Sequence, residues 1–416
     1  MVIMLRNLKT GKMEKLRLTK IMAFIGIVST ILVSCSKDDD NNLDSTPPGP
    51  VSNVQIEPTH GGAKITYDLP GDKDVMYVKA SYVNTLGQKM FKVTSFYDNE
   101  IILDGYNDVE EHNVKIEVFD RSNNVSEPIN KKFTPLVSHI ELAKENMVVT
   151  PDFGGVRLVW ENVTGDPMYT FLTYESQGED VRRIIASSHE DGKKVERSMD
   201  TLKKEFFVQL EDFYGNKTER VSKGEHSPWF EEEIDKTIWD LVPSLSVDGN
   251  IYEGKTENIW DGIVDTKDSN DDNSYALIHR SNNGGQLNFP LDVVIDLNAM
   301  VVINRFVVWQ RAFWWGNDGE YFYYQNENFK SFNLYASNDK VEWSLIGEFD
   351  LGDPKDADGN VPLDILKEAA NGHEFELDEY PEPFRYLKLS ITGNFGSEEM
   401  TAFSEITLFG KHEDLN

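Results

Sequence analysis

The sequence is poor in the residues from which most catalytic sites and cross-links are built. Its 416 residues include one cysteine, Cys35, which excludes an internal disulfide and any zinc site built from several cysteines. The eight histidines are scattered, and no pair has the spacing of metal ligands. The motifs H-E-x-x-H, G-x-S-x-G and G-x-x-x-x-G-K-[ST] are absent. We therefore predict that the protein is not an enzyme.

Positive charge is also scarce. Lysine and arginine number 41 against 72 aspartates and glutamates, and the formal net charge is −31. This field repels nucleic acids and anionic lipid headgroups, so we expect neither as a partner of the folded part. Neutral ligands and cations such as Ca²⁺ remain compatible with it.

The apolar run "IMAFIGIVSTIL", residues 21–32, is too short to span a membrane, which takes roughly 20 residues. It follows a region with six basic side chains and fits the apolar part of a secretory signal peptide. We predict that residues 1–34 are a signal peptide. Because the basic region is long, Met4 or Met13 remains open as the true start.

The residues "LVSC", 32–35, resemble the bacterial lipobox, whose cysteine becomes the lipidated first residue of the mature protein. A thiol directly behind an apolar run has a covalent role that packing does not explain. Several acyl chains would attach the protein stably to a membrane. The following "SKDDD" resembles the acidic export signal of Bacteroidota lipoproteins, although a solvated linker would look the same. The resemblance implies a lipid anchor on Cys35 in the outer membrane, facing the cell exterior.

Two stretches behind a polar tether (residues 35–46) resemble each other. "GGAKITYDLP" begins at Gly61, and "GGVRLVWENV" begins at Gly154. The closing segments "VKIEVFDRSNNVSE" (114–127) and "FFVQLEDFYGNKTE" (206–219) repeat at nearly the same interval. Each alternates apolar and polar residues before a turn, which predicts a half-buried strand and a hairpin.

The alternation predicts which side chains face the two cores: Val114, Ile116, Val118, Phe206, Val208 and Leu210. Units of about 90 residues with short strands are typical of β-sandwiches. Both units resemble fibronectin type III domains, and we assign them residues 47–137 and 138–228. Residues 229–244 have apolar positions near helical spacing and are predicted to form a short helix or connector.

The C-terminal part, residues 245–413, contains five segments with the pattern of strands: 291–297, 303–310, 329–337, 386–392 and 404–411. "NIWDGIVDTK", "FKSFNLYASNDKVEWSLIGEF", "FRYLKLSITGN" and "AFSEITLFG" follow one another in this part. In this order they resemble the discoidin, or coagulation factor 5/8 C-type, family of galactose-binding-like jelly rolls. The fold class predicted for the chain is all-β: two tandem fibronectin III-like β-sandwiches followed by a jelly-roll β-sandwich.

The discoidin resemblance implies a structural calcium ion between an early loop and the last strand. Calcium requires hard oxygen donors, with one or two carboxylates among them. Carried over by position, the donors are Asn258, Asp261, Thr266, Ala402 (or Phe403) and Glu405. In the alternative interpretation, Asp261 caps a turn and Glu405 faces solvent.

Members of that family that bind sugars do so with loops at one end of the sandwich. Here "RAFWWGNDGEYFYYQN", residues 311–326, is rich in aromatics, which stack on the apolar face of a sugar while polar groups bind its hydroxyls. The predicted ligand-binding residues are Trp314, Trp315, Tyr321, Arg311, His279, Arg280 and Asn394. Alternatively, half of the aromatics seal the sandwich or the joint between domains. Trp260, Trp309 and Trp343 are expected in the core.

The whole chain resembles three-domain surface lipoproteins of Bacteroidota, which are often tied to glycan-utilisation systems. We interpret it as a surface lipoprotein whose C-terminal domain binds a glycan, with other surface glycan-uptake proteins as further partners. Dense display of many copies on one surface would raise the overall affinity for a polymer that each copy binds weakly. The alternative is a structural or adhesive subunit that docks on a protein partner, because exposed aromatics mark either kind of site.

Overall fold

The computed structural model describes residues 45–187, 190–247, 254–266, 274–283, 285–312 and 323–413. Cys35, the signal peptide and the acidic segment behind Cys35 lie outside the described residues, so the lipidation site stays a prediction. The chain divides into two compact units, Met1–Ser138 and His139–Asn416. In the described part, neither of the two short α-helices is long and apolar enough to cross a membrane.

The first unit contains one β-sandwich of seven strands. They are β1 (Ser52–Thr59), β2 (Gly62–Asp68), β3 (Val75–Val83), β4 (Lys89–Ser95), β5 (Glu100–Leu103), β6 (His112–Asp120) and β7 (Ile129–Phe133). One sheet has the order β1–β2–β5 and the other β4–β3–β6–β7, with antiparallel neighbours throughout. Val114, Ile116 and Val118 of β6 are buried between the sheets, as predicted.

The second sandwich repeats this topology strand for strand. It comprises α1 (His139–Asn146), β8 (Val148–Asp152), β9 (Gly155–Trp160), β10 (Met168–Ser176), β11 (Glu179–Ser187), β12 (Gly192–Glu196), β13 (Lys204–Asp212) and β14 (Val221–His226). Its sheets have the orders β8–β9–β12 and β11–β10–β13–β14. Phe206, Val208 and Leu210 of β13 are fully buried. The predicted pair of fibronectin III-like sandwiches is therefore confirmed.

The repeated glycine pair has the same structural reason in both sandwiches. Gly61 and Gly154 have φ angles of 68° and 70°, a region that favours glycine. A Cβ on Gly62 would lie 1.9 Å from a backbone oxygen of the neighbouring strand, and one on Gly155 would lie 1.7 Å from such an oxygen. The first glycine therefore makes the turn and the second allows the strands to approach.

The turns that close the two repeats also match. Asp120 Oδ1 accepts the backbone N–H of Asn124 at 2.8 Å, and Asn124 Nδ2 donates to Asp120 Oδ2 at 2.8 Å. Asp212 and Asn216 make the same two bonds, at 2.9 and 2.8 Å. The D-x-x-x-N spacing thus builds a turn whose side chains satisfy its own backbone.

The third sandwich is a jelly roll. Its elements are β15 (Glu232–Glu233), β16 (Asp240–Leu241), β17 (Ala276–His279), β18 (Leu291–Trp309), β19 (Phe329–Ser337), β20 (Ser344–Asp350), α2 (Leu363–Ala369), β21 (His373–Glu376), β22 (Phe384–Asn394), β23 (Met400–Phe403) and β24 (Glu405–His412). The main sheet has the order β15–β24–β18–β22–β19–β20, with β16 and β21 also on β18. β17 pairs with β23.

Strand β18 joins the two halves of this sandwich. Its first part pairs with β22 from Leu291 to Asp296, and its second part pairs with β24 from Val301 to Trp309. The five predicted strand segments are confirmed, and the structure merges the first two of them into this one strand. The change of partner lies at the register shift between Asp296 and Val301.

The segment 229–244, predicted as a short helix or connector, contributes to the third sandwich instead. It contains a 3-10 turn, Lys236–Ile238, flanked by β15 and β16, which pair with β24 and β18, and a second 3-10 turn, Pro243–Leu245, starts at its end. Ile234 and Trp239 are buried in the third core. Their spacing resembles a helix face, but they enter the core from two short extended pieces.

Two of the three tryptophans expected in the core lie elsewhere. Trp260 is buried, as predicted. Trp309 and Trp343 are only half-buried, and that prediction is wrong for them. The Lys388 ammonium lies 4.8 Å from the Trp343 ring centroid, which gives this indole a cation–π contact.

Candidate functional site

The two ends of the aromatic segment 311–326 lie next to each other in the described part of the structure. Trp314, Trp315 and Tyr321 lie outside the described residues. Ala312, just before the gap, and Tyr323, just after it, are both buried in one small cluster with Ala369 of α2. The segment therefore starts and ends at neighbouring points of the third sandwich.

Two buried polar side chains hold the entrance of this segment. Asp265 Oδ2 accepts the backbone N–H of Ala312 at 2.7 Å, and its Oδ1 accepts the Ser274 hydroxyl at 2.9 Å. Asn328 Oδ1 accepts the N–H of Arg311 at 2.9 Å, and its Nδ2 donates to the Arg311 carbonyl at 3.1 Å. Asp265 and Asn328 are fully buried, so these bonds are shielded from water and define the backbone position.

The exit of the segment is held by Gln310 and an aromatic group. Gln310 Oε1 accepts the N–H of Tyr324 at 2.6 Å, and its amide nitrogen lies 3.1 Å from His373 Nε2. The Tyr324 ring meets His373 and Phe395 edge-on, at centroid distances of 5.8 and 5.6 Å. Burial lowers the pKa of His373 to about 4, so the imidazole is neutral at pH 7 and its Nε2 accepts from Gln310.

Two of the predicted polar ligands, Arg311 and His279, are buried. The Arg311 guanidinium lies 4.0 Å from the Tyr275 ring centroid, and its Nη2 donates to the Tyr275 hydroxyl at 2.9 Å. His279 Nδ1 lies 2.7 Å from the Ser281 hydroxyl. Both side chains support the base of the loops rather than their outer surface.

The other two, Arg280 and Asn394, lie closer to solvent. Arg280 is exposed and forms an ion pair with Glu399 at 3.0 Å. Half-buried Asn394 donates to the carbonyls of Ser397 and Met400 at 2.9 and 3.1 Å, which shapes the loop between them. This loop is bonded to the exit of the aromatic segment, because Ser397 N donates to the Asn326 carbonyl at 3.1 Å.

Three chain segments therefore meet at this end of the third sandwich: residues 279–281, the ends of the aromatic segment, and residues 394–400. The sequence pointed to the aromatic segment but not to the buried residues that hold it. Asp265 lies in "NIWDGIVDTK" but was not among the predicted site residues, and Asn328 carried no motif. The signal available in the sequence for these two residues was a single polar residue beside a strand. Many solvent-exposed positions show the same pattern.

One of the predicted calcium donors, Glu405, faces an ammonium group. The carboxylate of Glu405 is fully buried; its Oε1 accepts from Lys236 Nζ at 2.6 Å, and its Oε2 accepts the N–H of Gly262 at 3.1 Å. Lys236 also donates to the Thr407 hydroxyl at 2.9 Å. Asp261 is exposed, and its Oδ1 caps the turn that follows it. Burial raises the pKa of Glu405 to about 8, against the opposing effect of the Lys236 ammonium.

The remaining candidate donors are placed as follows. Asn258 is buried and donates its amide to the Tyr275 carbonyl at 3.0 Å, Ala402 is buried, and Thr266 is half-buried. Within the described ranges there is no group of three or more His, Cys, Asp or Glu side chains that could hold a metal. Since a cation already faces Glu405, this arrangement does not fit a calcium ion. The calcium site stays a prediction that chelation would test.

Three family models match the chain, each described as a domain of unknown function. DUF4959 matches residues 48–135, DUF5126 matches 136–237 and DUF5000 matches 260–410. They follow the order of the three sandwiches, and none covers half of the chain. A comparison with curated proteins finds no match.

Solved structures that match this chain include the following three. A SusE-like protein is 18% identical, with a TM-score of 0.40, over 65% of this chain and 98% of its own. A carbohydrate-binding module of Clostridium perfringens, in complex with GalNAc-β-1,3-galactose, is 14% identical, with a TM-score of 0.28, over 42% and 99%. Two fibronectin type III domains of chicken tenascin are 13% identical, with a TM-score of 0.22, over 43% and 99%.

Proposed function

We propose that the protein is a non-catalytic surface lipoprotein that binds a glycan with the loops of its third sandwich. The observation that carries this proposal is the anchoring of the aromatic segment 311–326. Asp265 and Asn328 hold its entrance, and Gln310 holds its exit. A segment anchored at both ends by buried side chains loses less conformational freedom when a ligand binds, which favours recognition.

The side chains available at this end suit a neutral sugar. Trp314, Trp315 and Tyr321 belong to the anchored segment and supply aromatic faces for the apolar side of a sugar ring. Arg280 and Glu399 are exposed beside the neighbouring loop and offer donors and acceptors to hydroxyl groups. The net charge of −31 disfavours an anionic polysaccharide.

In this proposal, the rest of the chain displays the third sandwich at the cell surface. Acylated Cys35 would hold the protein in the outer membrane, the tether and the first two sandwiches would act as spacers, and surface glycan-uptake proteins would be its neighbours. Many copies on one surface would convert weak single-site binding into strong retention of a polymer.

Gel retardation tests this function. Soluble protein of residues 47–416 is run through native gels that contain neutral polysaccharides: galactan, xyloglucan, mannan or amylopectin. We expect retardation by at least one of them, and a clear weakening of it in a Trp314→Ala/Trp315→Ala variant with an unchanged melting temperature. Tyr97→Ala, at an 86% exposed aromatic of the first sandwich, is the matched control. Retardation that the double substitution leaves unchanged would contradict the proposal, and co-purification with a membrane protein without any glycan binding would favour the docking alternative.

A further inference from the structure

A cleft of about 630 Å³ lies where the second sandwich meets the third. Gly154 and Arg197 line it from the second sandwich, and Arg305 and Glu374 line it from the third. Trp229 and Phe230, in the segment between the two, line both this cleft and a second one of about 510 Å³. Volumes of this size at a joint between domains are typical of small-ligand sites.

Contacts across the joint hold these walls in place. Arg197 Nη1 donates to Glu376 Oε1 at 2.7 Å, and Lys193 forms an ion pair with Asp378. The Phe153 ring of the second sandwich meets the Tyr380 ring of the third edge-on, with centroids 5.1 Å apart. Single exposed ion pairs contribute little, but several of them around packed aromatics keep the two walls together. The cleft is therefore formed before any ligand arrives.

The aromatic pair in the cleft is exposed and rigid. The Trp229 side chain is 45% exposed and that of Phe230 is 55% exposed. Trp229 meets Phe153 edge-on at 5.4 Å, and its backbone N–H donates to the Asp152 carbonyl at 2.9 Å. An indole with a fixed orientation and an open face is suited to stacking on a sugar ring.

The first sandwich shows that the backbone does not require an aromatic here. The position equivalent to Trp229 is Leu136, whose N–H donates to the Thr59 carbonyl at 2.9 Å and whose carbonyl accepts from Gly61 at 3.1 Å. Val137 then takes the place of Phe230. The same bonds form with leucine and valine, so the tryptophan and phenylalanine of the second repeat are an addition that the fold does not demand.

Two guanidinium groups and three carboxylates line the cleft: Arg197, Arg305, Asp200, Glu231 and Glu374. Glu231 accepts from Arg305 Nε at 3.0 Å and Arg305 Nη2 at 3.0 Å, and the Arg197 guanidinium lies 3.6 Å away. Glu374 is exposed beside them. Guanidinium groups donate and carboxylates accept, which matches hydroxyl groups that do both. Because each of these charged groups already has a partner of opposite sign, the lining favours a neutral ligand.

We propose that Trp229, Phe230 and this charged lining form a second saccharide-binding site, for a neutral oligosaccharide. It is built from both sandwiches and shares no residue with the loop end of the third sandwich. It therefore goes beyond the proposed function and does not depend on it.

The test replaces the aromatic pair by the residues of the first repeat. Trp229→Leu/Phe230→Val is made in the 47–416 protein, both alone and together with Trp314→Ala/Trp315→Ala. Phe213→Ala, at a 63% exposed aromatic of the same sandwich, is the control. Retardation is measured in the same four neutral polysaccharides. We expect the aromatic-pair variant to bind about tenfold more weakly in either background, with the control unchanged.

The outcomes separate the two sites. Weakening by both double variants supports both sites, whereas weakening by the loop variant and full binding by the aromatic-pair variant overturns this site alone. Weakening by the aromatic-pair variant only supports this site and overturns the loop site. Retardation that neither variant weakens, or a wild-type protein that no polysaccharide retards, overturns both. Should the melting temperature of the aromatic-pair variant fall, Phe230→Val alone decides, because Trp229 and its packing on Phe153 are then intact.

Discussion

Lys236 donates a hydrogen bond to the buried carboxylate of Glu405 at 2.6 Å, although the two residues are 169 positions apart in the sequence. Lys236 belongs to the segment that follows the second sandwich, and Glu405 begins the last strand of the third. The pair therefore ties the entry of the third sandwich to its end. This is the place where the discoidin resemblance put a calcium ion.

Removing one partner of this pair is expected to destabilise the protein. At pH 9, above the raised pKa of Glu405, Lys236→Ala leaves a buried carboxylate without its cation, which costs about 3 kcal/mol in the free energy of unfolding. Lys236→Met together with Glu405→Gln should recover part of the loss. Urea denaturation measures the difference, with Lys203→Met, in an exposed pair with Glu225, as a control near zero. A Lys236→Ala protein as stable as the wild type would show that the pair contributes nothing.

Chelation is expected to have no effect on the third sandwich. Because the Lys236 ammonium already faces Glu405, EDTA should leave its melting temperature unmoved, and added Ca²⁺ should not raise it. Differential scanning calorimetry of the 47–416 protein measures both. A melting temperature that falls with EDTA and returns with Ca²⁺ would support the calcium site. It would also show that the Lys236 ammonium does not take the place of the ion.

Glu405 is expected to make stability depend on pH. Its pKa is raised in the folded protein to about 8 from an ordinary 4.5, so its stabilising contribution is complete below pH 4.5 and is lost as the pH rises through about 8. Between pH 5 and 8 the wild type should lose about 1 kcal/mol per pH unit relative to Glu405→Gln. Urea denaturation of both proteins at pH 5, 6, 7 and 8 measures the difference. Parallel stability curves would show that the carboxyl has its ordinary pKa.

Asp265 is expected to affect both stability and glycan binding. Asp265→Ala leaves the buried N–H of Ala312 without its acceptor, which costs about 2 kcal/mol and loosens the entrance of the aromatic segment. Asp265→Asn keeps one acceptor oxygen and should retain most of the binding. Gel retardation and thermal unfolding of the two variants are compared. Full binding by the alanine variant would mean that the anchored entrance does not position the ligand site.

Cys35 is expected to act only as the anchor. Cys35→Ala should abolish acylation and release the protein from the membrane fraction, without changing the melting profile of the three sandwiches. Metabolic labelling with a fatty acid and cell fractionation measure the two effects. If the variant still fractionates with the membrane as the wild type does, the lipid-anchor hypothesis fails.

Much of the fold could be read from the sequence because its signals are local. Alternation of apolar and polar residues identified the central strands of both fibronectin III-like sandwiches, where Val114, Ile116, Phe206 and Val208 are buried as predicted. Period-two patterns also located the strands of the jelly roll. The helix prediction for residues 229–244 was wrong because it also relied on local spacing. Spacing alone does not distinguish a helix face from two short strands that enter one core.

The sequence by itself determined the strands, the duplication and the place of the aromatic segment, because each depends on neighbouring residues. Only the tertiary structure decided which side chains hold that segment, what faces Glu405, and that Trp229 opens into a cleft at a joint. Asp265 meets Ala312 across 47 positions and Lys236 meets Glu405 across 169, and such pairs form only when distant parts of the chain have packed together. No local sequence pattern indicates these contacts, because the same residue types also occur in solvated loops.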